Sequence, residues 1–255
     1  MRRAIAALPA AVTACCILAL LVHGPLPQPA DYHAFADTAD FLRIGRGRDV
    51  LSNLGFALAG LWGMARLWPQ RRHPAIASGF TGYTLLLLGL VLTAAGSAYY
   101  HLAPDNDRLL LDRLPIALAC AGLLAGVWAE TGLPRPYALP LAGGLAAYAV
   151  ASVFWWYGTE RAGAGDLRPY ILLQILPILL IPLRQAIYGS PAADRLSFGL
   201  ALGLYVLAKL AEIYDAPLLG LSAGLLSGHS LKHLLATAAA ALIVGRLVHR
   251  TRSPA

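Results

Sequence analysis

Gly228-His229-Ser230-Leu231-Lys232-His233 opens a run that stays largely apolar from Leu234 to Val248, long enough for a membrane helix. His229 and His233 leave one face of such a helix at i and i+4, the spacing at which two imidazoles can share a metal ion. An answering pair lies far upstream. Gly96-Ser97-Ala98-Tyr99-Tyr100-His101 closes another apolar run, with Ser97 one turn before His101. Asp112 follows at the start of the next run. Three histidines, a serine and an aspartate at helix ends imply one buried polar site, with the rest of the chain as the scaffold that gathers them.

The chain is 58% hydrophobic and 13% charged, with a mean hydropathy of +0.62. A soluble domain carries about 25% charged residues, so the composition is that of an all-α integral membrane protein. Runs of the required length fall at roughly 4–22, 51–67, 79–101, 110–129, 137–157, 169–186, 196–213 and 229–248. Residues 1–30 read as an N-terminal hydrophobic helix (or signal anchor) with its linker, and 31–255 as the main membrane domain. Met1-Arg2-Arg3 resembles the start of a signal peptide, but the apolar stretch is long and no A-x-A site follows between His23 and Pro29, which favours a retained helix. The connection from His23 to Asp49 holds prolines and alternating charges, and is expected to pack on one membrane face. The net charge of +7 does not point to nucleic acid, because the arginines sit in short clusters between apolar runs. Cys15, Cys16 and Cys120 lie inside apolar runs without the spacing of a disulfide framework or a metal site.

Alternate connections differ sharply in charge. One set holds Arg2, Arg3, Arg66, Arg71, Arg72, Arg135, Arg184, Arg195, Arg246, Arg250 and Arg252, with Glu130 and Asp194 as its acids. In the other set Arg43, Arg46, Arg48, Arg108, Arg113, Arg161 and Arg168 are mixed with many carboxylates. The positive-inside rule then makes the first set cytoplasmic, with both termini inside. His101, Asp112 and His229 all fall at the outer ends of their helices, an agreement the arginines did not build in.

Each candidate has an ordinary reading: a histidine at the headgroups, a small serine for helix packing, an aspartate paired with Arg113 or Arg108. Together they describe a hydrolytic site. Three neutral imidazoles hold zinc and leave a fourth position for water, whose pKa falls to near 7. Asp112 can take a proton from that water or orient it, and Ser97 can hydrogen-bond the developing oxyanion. Lys209 and Glu212, at i and i+3, can pair across one turn, either as a structural ion pair or in support of the metal ligands. Trp155-Trp156-Tyr157 reads as an interfacial aromatic belt. The connection Glu160 to Tyr170 either caps the pocket or meets lipid headgroups. His23, His33, His73 and His249 have no partner spacing and stay outside the site.

At these residues the chain resembles the alkaline ceramidase family, within the seven-helix membrane hydrolase superfamily that also holds the adiponectin-type receptors. The matching pieces, in family order, are Ser52-Asn53-Leu54, Gly96-Ser97 with Tyr100-His101, Leu111-Asp112-Arg113-Leu114-Pro115, and His229 to His233. The resemblance spans roughly residues 37 to 248 and is closer to the bacterial-type branch, which implies a multi-pass protein of a bacterial inner membrane. It implies a seven-helix core, here with one extra N-terminal helix. It also implies an intramembrane zinc on His101, His229 and His233, with Asp112 acting on the water and Ser97 at the substrate carbonyl. The implied reaction is hydrolysis of the amide of ceramide, or of a ceramide-like lipid, to a sphingoid base and a fatty acid. Two departures matter. The animal enzymes bind calcium through a compact acidic cluster, whereas Asp37, Asp40 and Asp49 alternate here with Arg43, Arg46 and Arg48. Lys232 stands where the animal enzymes carry an aromatic residue. Other readings are a zinc-containing lipid-sensing receptor without turnover, a b-type haem protein, and a transporter. The clustering of the histidines at one face argues against haem, and no inverted repeat supports a transporter.

Overall fold

The computed structural model describes residues 2–252, with side chains from residue 5 onward. The described residues form no β-strand, and eight helical stretches are long and apolar enough to cross a membrane. The chain is an all-α membrane protein. Helix α1 (Arg2–His23) lies at the periphery against α7 (Arg168–Ile187). The remaining spans make a seven-span bundle. They are the broken span α2–α3 (Gly47–Leu51 and Leu54–Leu67), α4 (Phe80–Leu102), α5 (Asn106–Glu130), α6 (Ala138–Arg161), α7, α8 (Ala192–Ile213) and α10 (Gly228–Arg250). A short α9 (Asp215–Leu221) joins the last two.

The break between α2 and α3 has a local cause. Ser52 Oγ and Asn53 Nδ2 both donate to the Asp49 carbonyl, at 2.9 and 2.8 Å. Side chains that bond nearby backbone compete with helical geometry, and at membrane depth an opened turn is tolerated only where such groups satisfy it. Other ends are capped as polar residues dictate. Asp105 accepts from the Arg108 amide at 2.7 Å to start α5, and Ser227 Oγ accepts from the Ser230 amide at 2.9 Å to start α10.

Helices α4 and α5 form the most extensive contact in the bundle, and glycine permits it. A Cβ on Gly82 would stand 2.2 Å from the Gly126 backbone nitrogen, and one on Gly96 would stand 2.1 Å from the Leu111 carbonyl oxygen. The second contact brings Ser97 and Asp112, the next residue on each helix, to the same level. On the other side α8 runs along α10 and touches α7 only slightly.

The connection between α1 and α2 lies across the end of the bundle that carries the histidines. Gln28 donates to Asn106 at 3.0 Å, the Ala36 amide donates to Asp215 at 2.9 Å, and the Leu167 amide donates to the Leu26 carbonyl at 2.8 Å. At the opposite, arginine-rich end, Glu130 pairs with Arg250 and Asp194 with Arg246.

Trp155-Trp156-Tyr157 departs from the expected belt. Trp155 is exposed but donates to Asp166 at 3.0 Å, and Tyr157 donates to Asp107 at 2.6 Å. Trp156 is fully buried, with the Arg113 guanidinium 3.9 Å from its ring centre. A buried cation on α5 draws this ring inward, which no belt reading anticipates.

Gly82→Leu is expected to destabilise the protein by about 1–3 kcal/mol, because backbone rather than a flexible side chain blocks the new atoms. Thermal unfolding in detergent checks this, and an unchanged midpoint would contradict the packing described.

Candidate metal centre and its chamber

His101 sits in the last turn of α4, and His229 and His233 in the first two turns of α10. All three are buried. Their rings form a compact triangle with centroid separations of 4.7 Å (101–229), 5.0 Å (101–233) and 4.7 Å (229–233). One nitrogen from each lies within 4.8 Å of the others, so the trio can hold a metal ion. Among the described residues no other group of three or more His, Cys, Asp or Glu meets that condition. The Nε2 atoms of His101 and His229 stand only 3.2 Å apart. Two imidazole lone pairs that close repel unless a proton or a cation lies between them.

Neighbouring groups hold the rings in this arrangement. Ser52 Oγ lies 2.8 Å from His233 Nδ1. Because Ser52 donates its own proton to the Asp49 carbonyl, the hydrogen-bond network assigns the His233 proton to Nδ1 and leaves Nε2 basic. The same orientation of a ligating histidine by an outer partner is general in metal sites. Asp215 Oδ1 accepts from the His229 amide at 2.8 Å and fixes the start of α10. Asp49 accepts from Ser227 Oγ at 3.1 Å and from Ser230 Oγ at 2.5 Å, which ties the broken span to that same turn. Gly228 lets α10 begin there, since a Cβ would stand 2.0 Å from the Ala211 carbonyl oxygen. The Phe35 ring covers the trio from outside, 4.8 Å from His101 and 4.4 Å from His229.

Beside the histidines is a cavity of about 370 Å³, lined by His233, Ser97, Asp112, Arg113, Lys232 and Glu212 among others. Ser97 and Asp112 are both buried, and Asp112 Oδ1 has no hydrogen-bond partner. Asp112 forms no ion pair with Arg113 or Arg108, and Arg108 pairs with Asp105 instead. A second, almost wholly apolar cavity of about 220 Å³ continues from the first and shares Phe56, Leu90, Ile116 and Tyr205 with it. A carboxylate, a hydroxyl and an imidazole thus line a chamber of mixed character that opens onto an almost wholly apolar one.

Lys209 and Glu212 pair as their spacing indicated, but Glu212 also accepts from Lys232 at 2.7 Å, so two lysines share one carboxylate. They line the chamber and make no bond to the histidine rings. The three aspartates named for calcium are not gathered. Asp37 is paired with Arg48, Asp40 is exposed, and Asp49 is held by the two serines. His33 stays outside the trio, 2.8 Å from Tyr100 Oη and 3.0 Å from Asn106 Oδ1.

The connection before α7 caps the chamber, through Leu167 and then Tyr170 of α7 itself. Asp166 anchors it. Burial works against charge there, but hydrogen bonds from Arg168 and Trp155 hold its carboxyl well below the usual carboxylate range. The reading of residues from sequence missed Asp49 and Asp215 as supports of the histidine turn. For Asp49, its place in the first turn of an apolar span was the available signal, since such a group is costly unless it is bound.

Ser52→Ala removes the partner of His233 Nδ1 without touching the ligand set. It is expected to weaken divalent-metal binding by about 10–100-fold, read by chelator competition on purified protein. Unchanged affinity would remove Ser52 from the site.

No family model matches the chain, and no curated protein matches it.

Proposed function

We propose that the protein is a zinc-dependent intramembrane hydrolase that cleaves the amide of ceramide or a ceramide-like lipid, releasing a sphingoid base and a fatty acid. The observation that carries this reading is the buried triangle of His101, His229 and His233 beside a chamber lined by Ser97 and by Asp112, one of whose carboxylate oxygens is free. His101, His229 and His233 would hold the zinc, and the 3.2 Å between the His101 and His229 Nε2 atoms would suit two donors to one ion. Zinc there supplies Lewis acidity and a nucleophile at neutral pH.

The chain's own residues supply the rest. Asp112, which lines the chamber and has one free carboxylate oxygen, accepts the proton of the attacking water and later returns it to the leaving amine. Ser97, at the same level on the facing helix, donates to the carbonyl oxygen as it gains negative charge. The apolar second cavity receives the acyl chain, and the slight contact of α8 with α7 gives a lipid a route from the bilayer. Phe35 and the connection before α7 keep bulk water from the histidines.

Orientation follows from charge. Glu130 and Asp194, the acids at the arginine-rich end, are both paired, so the remaining cations there are uncompensated. That end faces the cytoplasm with both termini, and the histidine end faces outward. The setting is the inner membrane of a bacterium.

Two measurements test this. Elemental analysis is expected to find one zinc per chain in the wild type and none in His229→Ala. Asp112→Asn is expected to keep the zinc but lose about 10²-fold or more in the rate of N-acylsphingosine hydrolysis. Absence of zinc from folded wild type would end the reading. Zinc without turnover of any lipid amide would favour a receptor that keeps the metal as a structural element.

A further inference from the structure

Arg113 is the one strongly charged side chain of the chamber that has been given no role. It is 2% exposed, and its Nε and Nη1 atoms are buried without hydrogen-bond partners. Its guanidinium is held by aromatic faces, 3.9 Å from the Trp156 ring centre, 4.8 Å from Tyr32 and 5.4 Å from Tyr170. Rings of this kind hold a cation's position and supply no hydrogen-bond acceptor. A buried guanidinium with idle donors is costly, and charged groups inside a membrane span are retained for a partner or a pathway.

The chamber as a whole carries the same imbalance. Its charged lining is Arg113, Lys209 and Lys232 against Asp112 and Glu212. Both lysines lie on Glu212, and Asp112 leaves Arg113 unpaired. The lining therefore carries one surplus positive charge, and Arg113 is the cation in it that makes no ion pair. The adjoining apolar cavity suits a ligand that carries a hydrocarbon chain.

We propose that Arg113 binds the anionic head group of the lipid substrate, so that the preferred N-acyl lipid carries a phosphate, sulfonate or carboxylate rather than only neutral hydroxyls. This rests on the hydrolase reading of the same site and names its substrate class. Arginine suits the task because it stays charged and directs its donors from a plane, and a charge-assisted bond in a dry chamber is stronger than its counterpart in water. Arg113 is one residue beyond Asp112, so the head group is held within a turn of the carboxylate assigned to proton transfer. The negative charge of the substrate then offsets the surplus cation only when the lipid is bound, which distinguishes it from neutral lipids of equal chain length.

The test uses full-length protein in nanodiscs, with ceramide and ceramide 1-phosphate of one acyl chain as probes and inorganic phosphate as competitor. Wild type is expected to bind ceramide 1-phosphate about tenfold or more tightly than ceramide. Arg113→Gln is expected to abolish that preference while leaving ceramide binding within about twofold, and Arg113→Lys to keep part of it. Equal binding of the two lipids by wild type overturns the proposal whether or not the variants fold. So does a preference that survives in Arg113→Gln. Displacement of the phosphorylated lipid by millimolar inorganic phosphate, with the same dependence on Arg113, would show a free-anion site and overturn the lipid assignment. Hydrolysis is read separately on the same samples. Arg113-dependent binding without turnover would sink the hydrolase reading and leave the anion site standing, whereas turnover without head-group preference would do the reverse.

Discussion

Two imidazole nitrogens held 3.2 Å apart on buried side chains form an arrangement that needs a proton or a cation between them. In water, solvent would screen and separate the lone pairs. At membrane depth an unsatisfied polar group costs several kcal/mol, so the surrounding structure must enforce the approach. It does so from four directions. Ser52 holds His233, Asp215 holds the His229 amide, Asp49 bridges to Ser227 and Ser230, and Phe35 closes the outer side. These groups come from three separate segments of the chain, around Phe35, Asp49–Ser52 and Asp215, and all converge on the first two turns of α10.

The rest of the bundle can be understood from that requirement. The break between α2 and α3 delivers Ser52, and the broken turn is affordable because Asn53 and Ser52 satisfy the exposed carbonyl. Glycines let α4 and α5 meet closely enough that Ser97 and Asp112 share a level. The connections before α2 and before α7 are pinned over the histidine end by Asp215 and Asp166. The charged groups cluster in the chamber beside His233 and the adjoining cavity is almost wholly apolar, an arrangement that matches a molecule with a polar head and a hydrocarbon tail.

Some expectations met competing physics. Trp156 looked like part of an interfacial belt because three aromatics end α6 together, but a cation–π contact with buried Arg113 outweighs the preference for the headgroup layer. The pairing of Lys209 with Glu212 was legible from a single turn of helix, whereas the third partner, Lys232, lies on a different helix and left no local trace. Asp37, Asp40 and Asp49 are close in sequence yet diverge in the fold: Asp37 goes to Arg48, Asp49 to two serines, and Asp40 to the surface.

The sequence by itself determined the all-α membrane class, the spans to within a few residues, and the grouping of His101, Asp112, His229 and Ser97 at one end. Length and hydropathy define a span locally, and the alternation of spans assigns each residue to an end of the bundle. Only the tertiary structure decided that the three rings face one another, that Ser52, Asp49 and Asp215 support them, and that Arg113 stands idle in the chamber. Those facts depend on the rotation and close approach of helices far apart in the chain. Packing of small residues and satisfaction of buried polar groups select that arrangement, and neither leaves a periodic signal to be read along one strand of sequence.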